Sequence, residues 1–299
     1  MRLLLVDGMN NLYRSYFAYS RMTNNNKPVS CIYGFPMILE SVIRRYKIDK
    51  VIVVWDGNKS KHRLRILPDY KGTRKGVGVD KEDLYSQRDT VMKILSYLGI
   101  PQVWNSKVEA DDYLYALTRK YKSKYEVFIL STDKDFHQLL AKGVRIINTK
   151  LQVVLSRKNY AYHFGVDPNQ SLDYLILVGD KSDNIRGYPG IGDKRAKDFL
   201  EKYSSIKKFL NTSEEHRNID KHKLAEVYAT NRLLISLPLF YKKFIKGKIG
   251  ISYWDNLKTP TIDIKSLKRI CNIFNIRTFL NPDFINTFKN VKSKEISDN

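Results

Sequence analysis

Aspartates follow three short apolar segments of this chain. The segment LLLVD ends at Asp7, VIVVWD ends at Asp56, and VFILSTDKDF carries Asp133 and Asp135. Carboxylate oxygens grouped without cysteine or histidine suit hard divalent cations such as Mg²⁺ or Mn²⁺. The first chemistry to consider is therefore metal-assisted.

Two further acidic groups lie in VEADD, with Glu109, Asp111 and Asp112, and in VGDKSDNI, with Asp180 and Asp183. The first and last acids of VEADD are three residues apart and share a helix face, whereas Asp111 points elsewhere unless the first turn is distorted. A single aspartate after a strand is commonly only a turn or cap residue. Nine carboxylates in one cleft would repel one another unless cations neutralised them. Two ions about 3.5–4 Å apart would form a clamp for phosphodiester hydrolysis.

The apolar segments at 2–6, 51–55 and 127–131 have the pattern of parallel strands buried on both faces. Helical patterns alternate with them, which predicts an α/β fold with a doubly wound sheet. From about residue 168 the sequence predicts short helices and no strands. The other predicted elements are helices at 9–20, 32–46, 82–98, 110–122, 170–178, 193–203 and 221–235, and weaker strands at 102–104 and 144–148.

The chain is strongly basic and its partner is expected to be a polyanion. Its 299 residues include 53 Lys+Arg and 31 Asp+Glu, a net charge of 53 − 31 = +22. Nucleic acid is the simplest such partner. A hydrophobic content of 42% supports a real core. The two cysteines, Cys31 and Cys271, predict neither a disulfide framework nor a zinc site, and a reducing, cytoplasmic setting without a signal peptide or membrane span is expected.

The basic segment 58–80, NKSKHRLRILPDYKGTRKGVGVD, does not fit the sheet pattern. Pro68 and several glycines interrupt it, and a connection this long is usually a functional loop or a disordered one. A solvated surface insertion is the alternative that the sequence leaves open.

The segment GYPGIGDKRAKDFL, at 187–200, predicts an anion-binding turn. Gly187, Gly190 and Gly192 allow close backbone approach, and a helix begins directly after them with Lys194 and Arg195. Backbone N–H groups at a helix N-terminus bind phosphate without reading sequence. An ordinary tight turn is the alternative.

These motifs together resemble the flap endonuclease and 5′–3′ exonuclease family, which includes phage enzymes and the 5′-nuclease domain of bacterial DNA polymerase I. The matching segments, in order, are LLVDGMNNLYRSYFA, VVWDG, VEADD, STDKDF and GDKSDNIRGYPGIG, and they extend over residues 1 to about 235. The resemblance implies a twisted, mainly parallel sheet with helices on both faces, a PIN-like 5′-nuclease fold. It implies a nuclease core at 1–165 with a helical arch at 58–85, a helix–three-turn–helix DNA-binding region at 166–240, and a basic C-terminal extension at 241–299.

The resemblance also implies the site residues. Asp7, Asp56, Glu109, Asp111 and Asp112 surround one Mg²⁺ or Mn²⁺ ion, and Asp133, Asp135, Asp180 and Asp183 gather a second, some of them through water. In the arch motif LPDYKGTR, Lys71 and Arg74 contact the scissile phosphate and Tyr70 stacks on a base. The glycine turn grips duplex DNA and binds K⁺.

The implied enzyme is a monomer that cleaves 5′ flaps, nicks and 5′-ended duplex DNA, and also RNA–DNA primers, beside a replication polymerase or single-strand-binding protein. Three alternatives remain. A haloacid-dehalogenase-like phosphatase would need an aspartate where Met9 stands. A catalytically inactive DNA-binding relative would have lost ligand carboxylates. A PIN-type ribonuclease would lack the arch and the glycine turn.

Overall fold

The computed structural model describes residues 1–20, 22–24, 27–72, 78–247 and 260–291. Its strands are β1 (Arg2–Asp7), β2 (Thr23–Asn24), β3 (Lys27–Pro28), β4 (Lys50–Val54), β5 (Gln102–Val103), β6 (Glu126–Leu130), β7 (Val144–Asn148), β8 (Val153–Leu155), β9 (Gly179–Asp180) and β10 (Ile185–Arg186). Six of them form a central sheet in the order β5-β4-β1-β6-β7-β8. Neighbouring strands of this sheet pair in parallel except β7 and β8, which are antiparallel. The remaining strands form two separate antiparallel pairs, β2 with β3 and β9 with β10.

Helices cover both faces of the central sheet. The α-helices of the described residues are α1 (Gly8–Ala18), α2 (Ser30–Tyr46), α3 (Lys61–Ile66), α4 (Lys81–Tyr97), α5 (Ala110–Tyr121), α6 (Tyr160–Phe164), α7 (Ser171–Val178), α8 (Asp193–Tyr203), α9 (Ile206–Leu210), α10 (Lys221–Ile235), α11 (Leu237–Phe240), α12 (Ile264–Ile273) and α13 (Pro282–Asn290). Short 3₁₀ helices cover Lys134–Leu139, Pro168–Gln170 and Arg277–Leu280, and a π-helical turn covers Tyr241–Ile245. Over the described residues, none of the helices combines the length and the apolar character that crossing a bilayer requires.

Alternate side chains of the central strands enter two separate cores. Leu3 and Leu5 of β1 pack in a cluster with α5 and the helices of 171–245. Leu4 and Val6 point to the other face and pack with α2, α4, α12 and α13. Because successive strand residues point to opposite faces, a continuous apolar segment is what a sheet covered on both sides requires.

The predicted α/β fold with a mainly parallel sheet is confirmed. The strands at 2–6, 51–55 and 127–131 and the four helices between 9 and 122 are present, each shifted by at most two residues at either end. The prediction of no strands after residue 168 is wrong, because β9 and β10 form a two-residue antiparallel hairpin. An element this short has no periodicity that a sequence pattern could reveal.

The helices α12 and α13, in the region predicted only as a basic C-terminal extension, belong to the core. Leu267, Cys271, Phe284 and Phe288 are buried at i, i+4 spacing on α12 and α13. The lysines and asparagines between them obscure this spacing in the sequence. Residues 264–291 therefore complete the core on the α2 and α4 side of the sheet.

Replacing Phe288 by alanine should lower the free energy of unfolding by about 3–5 kcal/mol, because the ring is fully buried and its removal leaves a cavity. Urea unfolding measures the change. Ile273→Ala is the control, since that side chain is 68% exposed and its loss should cost less than about 0.5 kcal/mol. Equal effects of the two changes would show that α13 is not part of the cooperative core.

Candidate active site

Three carboxylates lie just beyond the carboxyl ends of the central strands. Asp7 ends β1 and accepts a hydrogen bond from the Asn10 amide at 3.1 Å, so it caps α1. Asp56 follows β4 and accepts from the Ala110 amide at 2.8 Å. Asp133 follows β6 and accepts from the Asp135 amide at 2.9 Å. Because β1 lies between β4 and β6, the parallel topology brings these three acids to one edge of the sheet.

Two polar side chains that the sequence analysis did not select hold this edge together. The Ser131 hydroxyl donates to Asp7 Oδ2 at 2.8 Å and accepts from the Asp133 amide at 3.1 Å. The Asn11 side-chain amide donates to the carbonyls of Asp7 and Leu130, at 2.8 and 2.9 Å. Polar residues directly beside the acidic motifs were the only available signal. Their contacts fix the end of β1 against the end of β6.

Burial and neighbouring carboxylates raise the pKa values of two acids at this edge, Asp7 and Asp111. Burial, followed by the charge of Asp56, raises the pKa of Asp7 to about 7, and Asp133 adds to the shift. Burial also raises the pKa of Asp111 well above its ordinary value; Lys71 opposes this shift, and Asp133, Asp56 and Asp7 reinforce it. Asp111 points away from the face that Glu109 and Asp112 share, as the helical spacing predicted, and lies near enough to the acids of all three strand ends for their charges to raise its pKa.

A second acidic cluster adjoins the first. Oxygen atoms of Asp135, Asp180 and Asp183 lie within 4.8 Å of one another. Asp135 Oδ1 is buried and accepts no hydrogen bond from the described residues. Burial and the charges of Asp133, Asp180 and Asp183 raise the pKa of Asp135 well above its ordinary value. An unsatisfied buried oxygen among three carboxylates fits a divalent cation, which would supply the missing partner.

Asp112 lies apart from these two clusters. Both of its oxygens accept hydrogen bonds from Arg63 at 2.8 Å, and a third Arg63 contact reaches Glu109 at 2.7 Å. Glu109 Oε1 lies 3.3 Å from the Lys71 ammonium. Glu109 and Asp112 share a helix face as their spacing predicted, but that face meets the side chain of Arg63, which the sequence analysis did not select. A direct metal contact by Asp112 is therefore not supported by its geometry.

The arch motif enters the cleft. Tyr70 is only 2% exposed, and its hydroxyl lies 3.1 Å from Glu109 Oε2 and 3.0 Å from Asp183 Oδ2. This burial contradicts the prediction that the ring stacks on a base, since neither face is open. Lys71 adopts φ +53°, and its amide donates to the Asp183 carbonyl at 3.0 Å. Arg74, predicted to contact the phosphate, lies outside the described residues.

The glycine-rich turn precedes α8. A Cβ on Gly187 would lie 2.2 Å from the Leu177 carbonyl oxygen, so this position requires glycine. Gly190 adopts φ +78°, and Arg195 donates to its carbonyl at 2.8 Å. Gly192 is the N-cap residue of α8, whose N-terminus therefore lacks a side-chain cap, and no atom lies within 4 Å of the position that a Cβ on Gly192 would take. The N-terminus of α8, with exposed Lys194 beside it, is available to an anion.

Family models match most of the chain. Residues 2–165 match the 5′–3′ exonuclease N-terminal, resolvase-like domain. Residues 166–238 match the 5′–3′ exonuclease C-terminal SAM fold. The two adjoining matches cover both the sheet edge and the glycine-rich turn.

Curated relatives carry the same description. A 5′–3′ exonuclease of Aquifex aeolicus is 36% identical over 270 residues, which cover 89% of this chain and 90% of the relative. One from Buchnera aphidicola subsp. Schizaphis graminum is 34% identical and covers 73% of this chain and 76% of the relative. DNA polymerase I of Caldicellulosiruptor bescii is 36% identical over 231 residues, 75% of this chain but 26% of that protein.

Solved structures share the fold. The bacteriophage T5 D15 flap endonuclease, in a pseudo-enzyme–product complex with DNA and metal ions, has a TM-score of 0.71 at 23% identity and covers 92% of this chain and 100% of that one. The catalytic core of Rad2 with DNA substrate has a TM-score of 0.54 at 15% identity and covers 91% of this chain and 87% of that one.

Without divalent cations, the protein should become more stable as the pH falls from about 8 to about 5. Because the pKa of Asp7 is about 7 in the folded state and 3.8 ordinarily, the folded protein holds a proton that the unfolded chain releases in this range. The stabilisation is complete below the ordinary pKa and is lost as the pH rises through 7. Asp7→Asn should flatten the dependence of the melting temperature on pH in EDTA, whereas exposed Asp89→Asn should not. If the melting temperature of Asp7→Asn depended on pH as steeply as that of the wild type, repulsion between Asp7 and the charges of Asp56 and Asp133 would be contradicted.

Proposed function

The chain belongs to the 5′–3′ exonuclease family, and we propose that it hydrolyses branched and 5′-ended DNA with two Mg²⁺ ions, for which Mn²⁺ can substitute. One observation carries this proposal: two acidic clusters adjoin at the edge of the sheet, burial and neighbouring carboxylates raise the pKa values of Asp7 and Asp135 there, and Asp135 Oδ1 is buried without a hydrogen-bond partner among the described residues. Such clusters call for cations, and oxygen-only ligands favour these ions.

The ligands divide between the two clusters. Asp7, Asp56 and Asp111 would surround one ion, with Glu109 beside them, and Asp135, Asp180 and Asp183 would hold the other. Asp133, which the resemblance grouped with the second ion, would lie between the two, since its charge raises the pKa values of Asp7, Asp111 and Asp135. When bound, the ions supply charge stabilisation for the attacking and leaving oxygens of a phosphodiester. The protein fixes the ligands before substrate arrives, through Ser131 and the cap bonds of Asp7 and Asp133.

Lys71 is placed to act on the scissile phosphate. Its ammonium lies beside Glu109 at the border between the acidic edge and the arch segment. A cation here neutralises negative charge that develops on the phosphoryl oxygens. Arg74, three residues further along the chain, is the second candidate for this role.

The glycine-rich turn and α8 would hold the duplex away from the cut. The uncapped N-terminus of α8 offers N–H groups to a backbone phosphate, and Lys194 adds charge. Contacts of this type track the backbone and are independent of base sequence. A K⁺ ion at this turn stays a prediction.

The substrates we propose are 5′ flaps, nicks, 5′-ended duplexes and RNA–DNA primers, processed by a monomer beside a replication polymerase or single-strand-binding protein. Two comparisons support DNA as the substrate. The T5 flap endonuclease and the Rad2 core were both solved with DNA. DNA polymerase I contains a region similar to this chain, which links the activity to DNA synthesis.

Incubation with 5′-labelled flap, nicked and RNA–DNA substrates tests the proposal. Cleavage should require Mg²⁺ and release 5′ products. Asp133→Asn should abolish cleavage and leave DNA affinity largely intact, because it removes a charge from the metal cluster and keeps the cap to Asp135. Asp89→Asn, the same change at an exposed position of α4, should cleave normally. Full activity in Asp133→Asn, or cleavage in EDTA, would contradict the metal mechanism.

Binding to duplex DNA should weaken steeply with salt, because each phosphate contact releases counterions. Lys194→Ala should reduce the slope of log Kd against log salt by about 1. Lys142→Ala is the matched control, since this exposed lysine precedes β7 at the opposite end of the sheet. A slope that Lys194→Ala leaves unchanged would exclude the α8 turn as a phosphate contact.

A further inference from the structure

Arg63 is a buried cation that links three parts of the protein. It lies on α3 and is 2% exposed. Its Nη atoms donate to Glu109 and Asp112 on α5, and its Nε donates to the Leu234 carbonyl on α10 at 3.1 Å. The guanidinium carbon lies 3.7 Å from the centre of the Phe240 ring on α11.

These contacts fix the guanidinium in one position. The four hydrogen bonds use four of the five N–H donors of an arginine, and two of them form a parallel pair with Asp112. The Phe240 ring covers one face of the fork. Lysine would preserve the charge but could neither form the paired contact nor stack in this way.

Glu109 contacts four residues of the arch segment. Its carboxylate accepts from the Ser60 amide at 3.2 Å, from Arg63 and from the Tyr70 hydroxyl, and it pairs with Lys71. Residues 11 positions apart in this segment, 60 and 71, therefore meet one side chain. Because Glu109 Oε1 lies 3.3 Å from the Lys71 ammonium, the orientation of Glu109 contributes to the position of that ammonium.

The group is also electrically balanced. The positive charges of Arg63 and Lys71 match the negative charges of Glu109 and Asp112, at N–O distances of 2.7 to 3.3 Å. Buried ion pairs are stable only when their charges and hydrogen bonds are satisfied together. Loss of the Arg63 fork would leave two buried carboxylates competing for Lys71.

We propose that Arg63 is a positioning residue, which holds Glu109 and Asp112 as anchors of the arch segment and thereby places Lys71 at the scissile phosphate. Asp112 orients the Arg63 guanidinium through two hydrogen bonds and is not a direct metal ligand. This inference rests on the proposed function, because it assigns a step in the same cleavage reaction. It extends that function by one residue outside both acidic clusters.

A double-mutant cycle between Arg63 and Lys71 tests the inference. Lys71→Ala should slow single-turnover flap cleavage by on the order of 10²-fold. Arg63→Lys should slow it by at least about tenfold through misplacement of Lys71. If Arg63 acts through Lys71, the double variant should be within about twofold of Lys71→Ala alone, since coupled residues are not additive. Rates that multiply in the double variant would overturn the inference.

A core variant separates positioning from general destabilisation. Leu95→Ala removes a fully buried side chain of α4 from the core on the other side of the sheet and should lower the melting temperature. Its effect on the cleavage rate should be independent of Lys71. If Leu95→Ala and Lys71→Ala were as strongly coupled in the cleavage rate as Arg63→Lys and Lys71→Ala, the effect of Arg63→Lys would be explained by lost stability and the inference would be overturned.

Asp112→Asn provides a second variant that keeps the shape of the group. It should weaken the Arg63 fork and slow cleavage without loss of Mn²⁺ affinity, measured by electron paramagnetic resonance. Asp111→Asn should lose at least about tenfold in that affinity. An equal loss in Asp112→Asn would make it a ligand and overturn the anchor assignment.

Different results would contradict the proposed function and the inference about Arg63. Absence of Mg²⁺-dependent cleavage by the wild-type protein would end the proposed function. Wild-type cleavage that Lys71→Ala slows, combined with multiplying effects of Arg63→Lys, would end only the inference about Arg63.

Discussion

Repulsion among carboxylates at the end of the sheet is the constraint on which this structure depends. Parallel β1, β4 and β6 place Asp7, Asp56 and Asp133 at one edge, and burial makes each negative charge more costly. A chain with a net charge of +22 does not surround these acids with enough cations to cancel them locally. The folded protein therefore contains unfavourable electrostatic repulsion among these carboxylates, which divalent cations would reduce.

The protein neutralises one side of this region with its own side chains. Arg63 and Lys71 form ion pairs with Glu109 and Asp112. Burial raises the pKa of Glu109, but the charges of Arg63 and Lys71 outweigh it and hold this pKa below its ordinary value. Burial and neighbouring carboxylates raise the pKa values of Asp7, Asp111 and Asp135. The acidic residues therefore include some that side chains of the protein neutralise and some that a divalent cation would neutralise. A sequence motif such as VEADD contains both kinds within four residues.

The same contacts connect the arch segment to both acidic clusters. Tyr70 and Lys71 join the arch segment to Glu109 and to Asp183, which belongs to the second acidic cluster. Arg63 joins that segment to α10 and α11 beyond the glycine-rich turn. Movement of any one of these parts would change the geometry of the others, because the side chains that they share are buried and hydrogen-bonded to more than one of them.

The sequence by itself determined the sheet, the acidic edge and the glycine-rich turn, because apolar segments, strand-end aspartates and glycines leave local patterns. The family resemblance grouped Asp111 with Asp7 and Asp56, but the sequence could not show that Tyr70 is buried. The helices of 264–291 were also hidden, since their apolar positions are sparse among polar residues. Only the tertiary structure decided that Arg63 forms an ion pair with Asp112, because the two residues are 49 positions apart in the sequence and their pairing depends on packing against Phe240.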